Sequence, residues 1–479
     1  MEVGDLSEGL TTAKRNLIVT IMLLSAFVAM LNQTILNTAL PAMIVDLGIP
    51  ETTAQWLITG FMLVNGIMIP LTAFLIDKYS TRQLYIFSMA AFLLGSVIAA
   101  MAPSFAVLMI ARVIQAIGAG ILLPLMQFIV FMVFPVEKRG FAMGLTGIVA
   151  QSAPAIGPTL TGVLIDFSSW HVPFIVVAVI SLIAFGAGVF YVENLGQSKP
   201  TSLDKRSVVY STVGFGLILY AFSIVGHVGP LSPLFIISLI VGIGIVAIFT
   251  IRQCRIDAPL LSVSVLKNKT FTLSAFASMM IYIGIVGPAL LIPIYVQTGL
   301  GLSAFLSGLV ILPGAVVNAC MSTYTGKIYD RYGVRVLVIP GFMLLIIMTI
   351  LHIFLTAETP FWYVVMIYAI RMFSVALLMM PLNTAGLNAL ENKEVSHGNA
   401  IMNSLRIIAG AMGTAISITV LSIVSRNFMD AHGHSSKMMR EATISGVDAA
   451  FIFTTVLIVI GFVLSLFIRE TKQSPLSQS

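Results

Sequence analysis

GKIYDRYGVR at residues 326–335 and its weaker copy AFLIDKYSTR at residues 73–82 decide the fold of this chain. Each copy follows a long apolar run and places one acid ahead of basic residues. One signature after two corresponding runs indicates two related halves, an internal repeat typical of secondary transporters. The charged positions that we expect to form a cytoplasmic gate are Asp77, Arg82, Asp330, Arg331 and Arg335.

The acid of each copy has two possible uses. A carboxylate can accept hydrogen bonds from the free backbone N–H groups at the start of a helix. It can also pair with a neighbouring arginine, so we expect Asp77 to pair with Arg82. By the same argument Asp330 should pair with Arg331 and Arg335. Plain anchoring by positively charged inside loops is the alternative explanation.

The composition is that of a polytopic helical membrane protein. Of the 479 residues, 58% are hydrophobic and only 9% are charged, and the mean hydropathy is +1.04. Soluble domains carry about 25% charged residues, and disordered chains are more polar still. Both classes are therefore excluded. The two cysteines show no metal-ligand spacing, so we expect neither a disulfide framework nor a metal site.

Fourteen apolar runs are long enough to cross about 30 Å of hydrocarbon, which takes about 20 residues each. They lie at about 16–38, 52–76, 83–101, 106–134, 140–162, 172–192, 207–227, 233–251, 270–297, 302–325, 336–356, 360–386, 398–422 and 447–468. Two halves of six helices leave two helices over, and runs seven and eight lie between the halves. We expect a six-helix bundle at 1–206, two extra central helices at 207–251 and a second bundle at 252–479.

The lysines and arginines set the orientation. With the N-terminus in the cytoplasm, 19 of the 25 basic residues fall in inside segments, 3 fall outside and 3 lie within helices. We therefore expect a multi-pass protein of a bacterial cell membrane with both termini in the cytoplasm. The same distribution accounts for the net charge of +6 through contact with anionic lipid head groups. No nucleic-acid partner is expected.

Three further motifs lie on the predicted helices in a fixed order. Helix 1 ends in LNQTILNTALP at 31–41, helix 4 carries RVIQAIGAG at 112–120, and helix 5 carries GPTLTG at 157–162. Together with the loop signature, they resemble the major facilitator superfamily. Within it, the chain is most similar to the fourteen-helix drug:proton antiporters of the EmrB/QacA type, and in particular to the lincomycin-resistance exporters of the LmrB type.

The resemblance implies the major facilitator fold, with two six-helix bundles plus two extra central helices. It also implies multidrug efflux by proton antiport with alternating access, in a chain that is monomeric and has no cofactor. Arg112, Arg371 and Arg406 lie within helices, and no acid lies in the middle of any helix. We therefore expect neutral, zwitterionic or anionic amphiphilic drugs as substrates, lincosamide-like compounds included.

Other functions remain open from the sequence. An exporter of an endogenous lipid or metabolite and a facilitator without proton coupling would share these features. A membrane-embedded enzyme or a receptor is less favoured, because no catalytic motif occurs and the gate signature is present twice. No GxxxxGK[ST] loop is present, so ATP cannot drive the chain in the P-loop manner.

Predicted helix 5 carries an antiporter-type motif at Pro154, Gly157, Pro158 and Gly162. Small residues allow another helix to approach closely, and each proline removes a backbone hydrogen bond and favours a bend. A bent, closely packed helix suits a rocking gate, although a packing kink without a gating role would look the same.

Polar residues at single helix positions are the candidate substrate-cavity groups. They are Asn32, Gln33, Asn37, Asn65, Gln127, Gln151, Tyr295, Asn318, Arg371, Asn383, Asn403 and Arg406. Hydrogen bonding between helices would explain several of them equally well, and Arg406 lies near enough to a helix end to reach the interface.

The proton site is the least determined part of the sequence. The family's helix-1 signature usually carries an Asp where this chain has Asn32. We predict that Asp166 replaces it, paired with Arg112, with Gln115 one turn further along helix 4. The remaining titratable groups near helix ends are Asp46, Asp448, His227 and His352.

Overall fold

The computed structural model of the protein describes residues 11–54, 56–194, 204–256, 259–432 and 435–468. Over these residues the chain is almost entirely helical and contains no strand. The described residues form fourteen long helices: α1 Thr12–Leu47, α2 Trp56–Lys78, α3 Thr81–Ala100, α4 Phe105–Val133, α5 Arg139–Phe167, α6 His171–Tyr191, α7 Lys205–Val228, α8 Pro233–Gln253, α9 Lys269–Ile294, α10 Ala304–Tyr332, α11 Arg335–Leu351, α12 Phe361–Asn388, α13 Val395–His432 and α14 Ser436–Leu466.

The helices agree with the predicted all-α membrane fold. Among the described residues, thirteen helices are long and apolar enough to cross a membrane. The fourteenth, α5, has 29 residues, which at 1.5 Å per residue also exceeds the hydrocarbon thickness.

Local sequence determines where the helices at the two signature loops begin and end. Gly333 adopts φ +80° directly after α10, a conformation that residues with a Cβ avoid. Ser80 instead begins α3, where its hydroxyl accepts from Gln83 N–H while the Gln83 side chain accepts from Ser80 N–H. This reciprocal capping box satisfies two N–H groups that the helix itself leaves free.

The described chain divides into two compact units that interleave along the sequence. The first comprises residues up to 135, 145–263 and 399–404, and the second comprises 136–144, 264–398 and residues from 405 onward. The start of α5 thus belongs to the second unit, and a short piece of α13 belongs to the first. The division expected from sequence, 1–206, 207–251 and 252–479, stays a prediction.

Within the first unit, α4 packs on α1, α2 and α3, and α6 packs on α1 and α3. The two extra helices, α7 and α8, pack on each other, and α7 also packs on α2. Within the second unit, α12 packs on α9, α10 and α11, while α14 packs on α9 and α11.

An ion pair joins the ends of α7 and α8. Arg252 donates from Nε and Nη2 to the two carboxylate oxygens of Asp204, at 2.7 and 3.1 Å. Ser207 donates to the same carboxylate at 2.6 Å. These two partners, Arg252 foremost, hold the pKa of Asp204 well below its usual range. The pair fastens the two extra helices to each other.

Candidate functional site

Helix α4 buries a positive charge in the first unit. Arg112 is 1% exposed, and its Nη1 donates to Gln115 Oε1 at 3.0 Å. Gln115 Nε2 in turn donates to the Ser96 hydroxyl of α3 at 3.0 Å. Arg112 Nε reaches the Leu57 carbonyl at 3.4 Å, and the guanidinium lies 4.1 Å from the centre of the Phe61 ring. These partners are neutral, so the charge is held by hydrogen bonds and an aromatic face.

Five predicted site residues have side chains outside the described part of the structure: Asn37, Gln151, Pro154, Pro158 and Asp166. Their backbones lie in α1 or α5. The pairing of Asp166 with Arg112 therefore stays a prediction. Gly157 is described, and a side chain there would collide with the Thr34 hydroxyl of α1, so these helices approach closely in the first unit. Gly162 is half-buried on α5.

Three of the predicted cavity asparagines are buried with unmatched polar atoms. Both side-chain polar atoms of Asn32 lack a hydrogen-bond partner within the described residues, and Asn32 is fully buried. The side-chain oxygens of Asn65 and Asn383 are likewise buried without a partner among those residues. Buried polar groups are nearly always satisfied by protein, water or ligand, so each position calls for a partner from solvent or substrate.

A second polar group in the first unit joins α4 and α13. Asn403 Nδ2 donates to Gln127 Oε1 at 2.6 Å, and Asn399 Nδ2 donates to the Pro124 carbonyl at 2.9 Å. Asn399 was not in the predicted cavity set. Its spacing of four residues from Asn403 places both on one helix face, which could have revealed it.

Pro124 lies inside α4 and has no N–H to donate, so the carbonyl of Gly120, one turn earlier, has no partner within the helix. Thr72 of α2 donates to this Gly120 carbonyl at 3.2 Å. The carbonyl that Pro124 leaves free is therefore satisfied within the unit, as membrane helices require.

Other predicted cavity residues make ordinary interhelical contacts in the second unit. Asn318 Nδ2 donates to the Met372 carbonyl at 2.9 Å, and the Tyr295 hydroxyl donates to the Thr356 carbonyl at 2.7 Å. Arg406 lies 5.8 Å from the centre of the Tyr282 ring. In the first unit, Gln33 is half-buried on α1.

Arg371 is fully buried on α12. It donates from Nη2 to the Gly284 carbonyl of α9 and from Nε to the Thr349 hydroxyl of α11 at 3.4 Å. Like Arg112, it is a buried cation whose hydrogen-bond partners in the described structure are neutral.

The second signature copy contacts the start of α5. Asp330 accepts from the N–H of Gly140 at 2.7 Å and from the N–H of Phe141 at 2.9 Å, one on each carboxylate oxygen. The first N–H groups of a helix have no partner within it, and the positive end of the helix dipole favours an anion. A Cβ at Gly326 would collide with the Gly140 carbonyl, so the glycine permits this approach.

Neighbouring polar groups extend the contact. Arg139, the first residue of α5, donates to Asn388 Oδ1 at 3.4 Å and to Asn392 Oδ1 at 3.3 Å. Asn388 Nδ2 donates to the Tyr329 hydroxyl at 3.2 Å. The Lys327 ammonium lies 5.5 Å from the centre of the Phe141 ring. No sequence pattern marked Arg139 or the two asparagines as partners.

The arginines of the signature copies are placed differently from the expectation. Arg335 donates from Nε and Nη2 to the Ile468 carbonyl at 3.3 Å, and the Arg331 guanidinium lies 5.1 Å from the Tyr332 ring. Ion pairs of Asp330 with these arginines are not found among the described residues. Asp330 instead accepts a backbone N–H of α5 on each carboxylate oxygen. In the first copy, Arg82 donates to the Val189 carbonyl of α6 at 2.8 Å.

Comparison with known proteins places the chain in a family. The sequence model described as Major Facilitator Superfamily matches residues 22–414. YcnB of Bacillus subtilis strain 168, an uncharacterized MFS-type transporter, is 41% identical over 97% of this chain and 97% of its own length. The lincomycin resistance protein LmrB of Listeria monocytogenes is 36% identical over 95% of this chain and 97% of its own length.

The fold has solved counterparts of low sequence identity. The structure of the proton:xylose symporter XylE matches with a TM-score of 0.64 and 12% identity, over 97% of this chain and 98% of that one. The relatives are transporters rather than enzymes, and the chain is of the same class. The chain belongs to the Major Facilitator Superfamily.

Proposed function

We propose that the protein is a multidrug efflux transporter, which exports amphiphilic drugs by proton antiport with alternating access. The observation that carries the proposal is its likeness, along nearly its whole length, to a protein named for lincomycin resistance. The buried arginines of α4 and α12 add a constraint on charge, because their partners are neutral. We infer a preference for neutral, zwitterionic or anionic compounds, lincosamides included.

The proposed site combines three groups of residues. Asn32, Asn65 and Asn383 offer buried, unmatched polar atoms to a substrate. The cavity would also include Gln33, Asn37, Gln127, Gln151, Tyr295, Asn318, Arg371, Asn403 and Arg406. Arg112, Gln115 and Asp166 are retained as the proton-coupling set predicted from sequence.

The contact of Asp330 with the start of α5 is the proposed cytoplasmic gate. Alternating access requires contacts that form in one state and break in another. Two charged hydrogen bonds to a helix start are strong enough to hold one state and are restored without chemical change. Asp77, Arg82, Arg331 and Arg335 would fasten the same side, and the α5 motif at Pro154, Gly157, Pro158 and Gly162 would supply the bend.

We place the protein in the bacterial cell membrane with both termini in the cytoplasm, as a monomer. The positive loops would meet anionic lipid head groups. Residues 1–206 and 252–479 would be the two bundles that rock, and 207–251 the added pair.

Purified protein in liposomes with an imposed pH gradient and a trapped pH-sensitive dye tests the proposal. Lincomycin, an anionic amphiphile and a permanently cationic amphiphile are added in turn. We expect proton flux with lincomycin and with the anionic compound. Lincomycin movement without proton flux would make the protein an uncoupled facilitator. Proton flux with the cation alone would contradict the substrate preference, and flux with neither drug but with a lipid would favour an endogenous substrate.

A further inference from the structure

Three ionisable side chains of the second unit, Arg371, His352 and Asp448, lie on elements away from the α5 contact. Arg371 and His352 are each 0% exposed. Arg371 lies on α12, His352 directly follows α11, and Asp448 lies on α14. Helix α11 packs on both α12 and α14, so the three side chains come from neighbouring elements.

Aromatic packing connects these residues. The His352 ring stacks on the Phe451 ring, with centres 4.8 Å apart. Phe451 lies one helical turn after Asp448 on α14. Arg371 Nε donates to the Thr349 hydroxyl at 3.4 Å, and Thr349 lies one helical turn before His352. Phe451 belongs to a buried apolar cluster that also contains Tyr295, so charges near it lie in a medium of low polarity.

The hydrogen bonding of His352 determines which of its nitrogens carries the proton. Nδ1 lies 2.6 Å from the Met348 carbonyl oxygen. A carbonyl only accepts, so Nδ1 must carry the hydrogen. In the neutral ring, Nε2 is then an acceptor. It is buried and has no hydrogen-bond partner among the described residues.

Asp448 presents the same deficiency. Its Oδ1 is buried and has no hydrogen-bond partner within the described part of the chain. An ionised carboxylate only accepts, so Asp448 and His352 are two buried acceptors that lack a donor. Arg371 Nη1 is a buried donor without a partner in the same described residues. A proton is the one ligand that supplies a donor to either acceptor without needing space.

We propose that Asp448 and His352 form the proton-binding site that couples transport, with Arg371 as a fixed positive charge beside it. The inference rests on the proposed antiport function and moves its proton site to α14. One proton adds to the Asp448 carboxylate as an O–H bond, and no other bond forms or breaks. Arg371 opposes a second positive charge on His352, so the imidazole acts as the acceptor that passes the proton on. On release, the proton returns to water on the opposite side.

The packed helices carry other ionisable groups as well. They are Lys269 and Tyr282 on α9, Tyr295 directly after it, Arg335 on α11, Tyr363 and Tyr368 on α12, and Lys437, Arg440 and Glu441 on α14. Arg440 donates from Nε to the Gly299 carbonyl at 3.0 Å. Tyrosine ordinarily titrates near pH 10 and arginine above 12. Asp448 and His352 are therefore the pair to test for proton exchange, with Glu441 as the residue to exclude.

Two liposome assays test the site with lincomycin as the probe. The first measures lincomycin exchange at equal pH on both sides, and the second measures lincomycin accumulation driven by a pH gradient. We expect Asp448→Asn and His352→Gln each to lower accumulation at least tenfold while some exchange persists. Glu441→Gln should keep accumulation within about twofold of the unmodified protein.

Matched controls lie on α13. His432 bonds through Nδ1 to the Phe428 carbonyl at 3.0 Å and stacks on that ring, as His352 does with its own partners, but His432 is exposed. Asp430 is an exposed acid two residues away. His432→Gln and Asp430→Asn should behave as the unmodified protein in both assays.

The outcomes separate this inference from the proposed function. If the unmodified protein exchanges lincomycin but does not accumulate it, antiport itself is refuted, and the proton site with it. If the unmodified protein accumulates lincomycin and Asp448→Asn does so equally well, the proton site is refuted and antiport stands. Should Asp448→Asn not fold, Asp448→Glu decides: a shifted pH dependence of accumulation supports the site, and an unchanged one refutes it.

Discussion

The two copies of the signature, residues 73–82 and 326–335, have the same acid and different surroundings. In the second copy, Asp330 accepts from two N–H groups of α5, and Gly326 leaves room for the Gly140 carbonyl. In the first copy, Ala73 stands at the position of Gly326, and it is fully buried.

The ends of the copies differ in the same sense. Gly333 terminates α10 at φ +80°, whereas the corresponding Ser80 begins α3 in a capping box. The second copy therefore allows close backbone contact with the start of α5. The first copy instead carries the N-cap of the next helix, α3. The small residues of the second copy thus permit the backbone contact at Gly140, whereas the first copy has a buried alanine and a helix cap at the corresponding positions.

Replacing the acid should give the largest difference in transport between the two copies. A hydrogen bond to a charged group contributes about 1.5–3 kcal/mol, and about 1.4 kcal/mol corresponds to tenfold in an equilibrium. Asp330 makes two such bonds, so Asp330→Ala should lower lincomycin-dependent proton flux at least tenfold. Asp77→Ala should lower it less than about threefold. Flux per folded protein in liposomes is the measurement, and equal losses at both positions would remove the distinction between the copies.

Exchanging the small residues should have the next largest effect. Gly326→Ala forces a methyl group against the Gly140 backbone, and such overpacking costs about 1–3 kcal/mol. We expect a several-fold loss of flux together with a fall in melting temperature. Ala73→Gly should lower the melting temperature slightly, from about 1 kcal/mol, and leave flux nearly normal. The reverse order would mean that the first copy is the engaged one.

The turn residues should change stability rather than transport. Gly333→Ala places a Cβ at positive φ, for about 1–3 kcal/mol. Ser80→Ala removes a helix cap, for about 1 kcal/mol. Thermal unfolding in detergent should rank Gly333→Ala as the more damaging change. A larger loss with Ser80→Ala would show that the capping box is the more important of the two.

The smallest effect is expected at Asp204, which pairs with an arginine as Asp330 was expected to do. Its pKa is depressed, so the pair adds stability above the unfolded-state pKa of about 3.9 and loses it as pH falls below that value. Unfolding of the unmodified protein should therefore become easier below about pH 4, and Asp204→Asn should flatten that part of the profile. Proton flux near neutral pH should remain within about twofold. A large loss of flux would mean that the pairing of Asp204 with Arg252 matters to transport. The contact of an acid with a helix start would then not be what distinguishes Asp330.

The sequence was sufficient to predict the membrane fold and its fourteen helices. It was not sufficient for the partner of Asp330. The Gly140 N–H lies 190 residues away in sequence, and every residue type has a backbone N–H, so no side-chain pattern marks it. The arginine pairing was expected because opposite charges are visible in a sequence and free helix N–H groups are not.

The α4–α13 contact shows the same limit in milder form. Asn399 and Asn403 share one face of the helix by their spacing, but the bond of Asn399 to the Pro124 carbonyl could not be predicted from sequence. Helical spacing predicts which residues share a helix face. It does not predict which other element packs against that face. Burial similarly changed the reading of His352, which was expected near a membrane boundary and is fully enclosed.

The most direct test of the central claim is a reversible cross-link across the Asp330 contact. Lys327 lies over the Phe141 ring, so Lys327→Cys and Phe141→Cys can be joined, in a background where the two exposed native cysteines, Cys254 and Cys320, are replaced by serine. Phe141→Cys keeps the backbone N–H that Asp330 accepts. If this contact must open during transport, the linked protein will not move lincomycin or protons, and reduction will restore both. Transport at the unlinked rate by the fully linked protein would contradict the account.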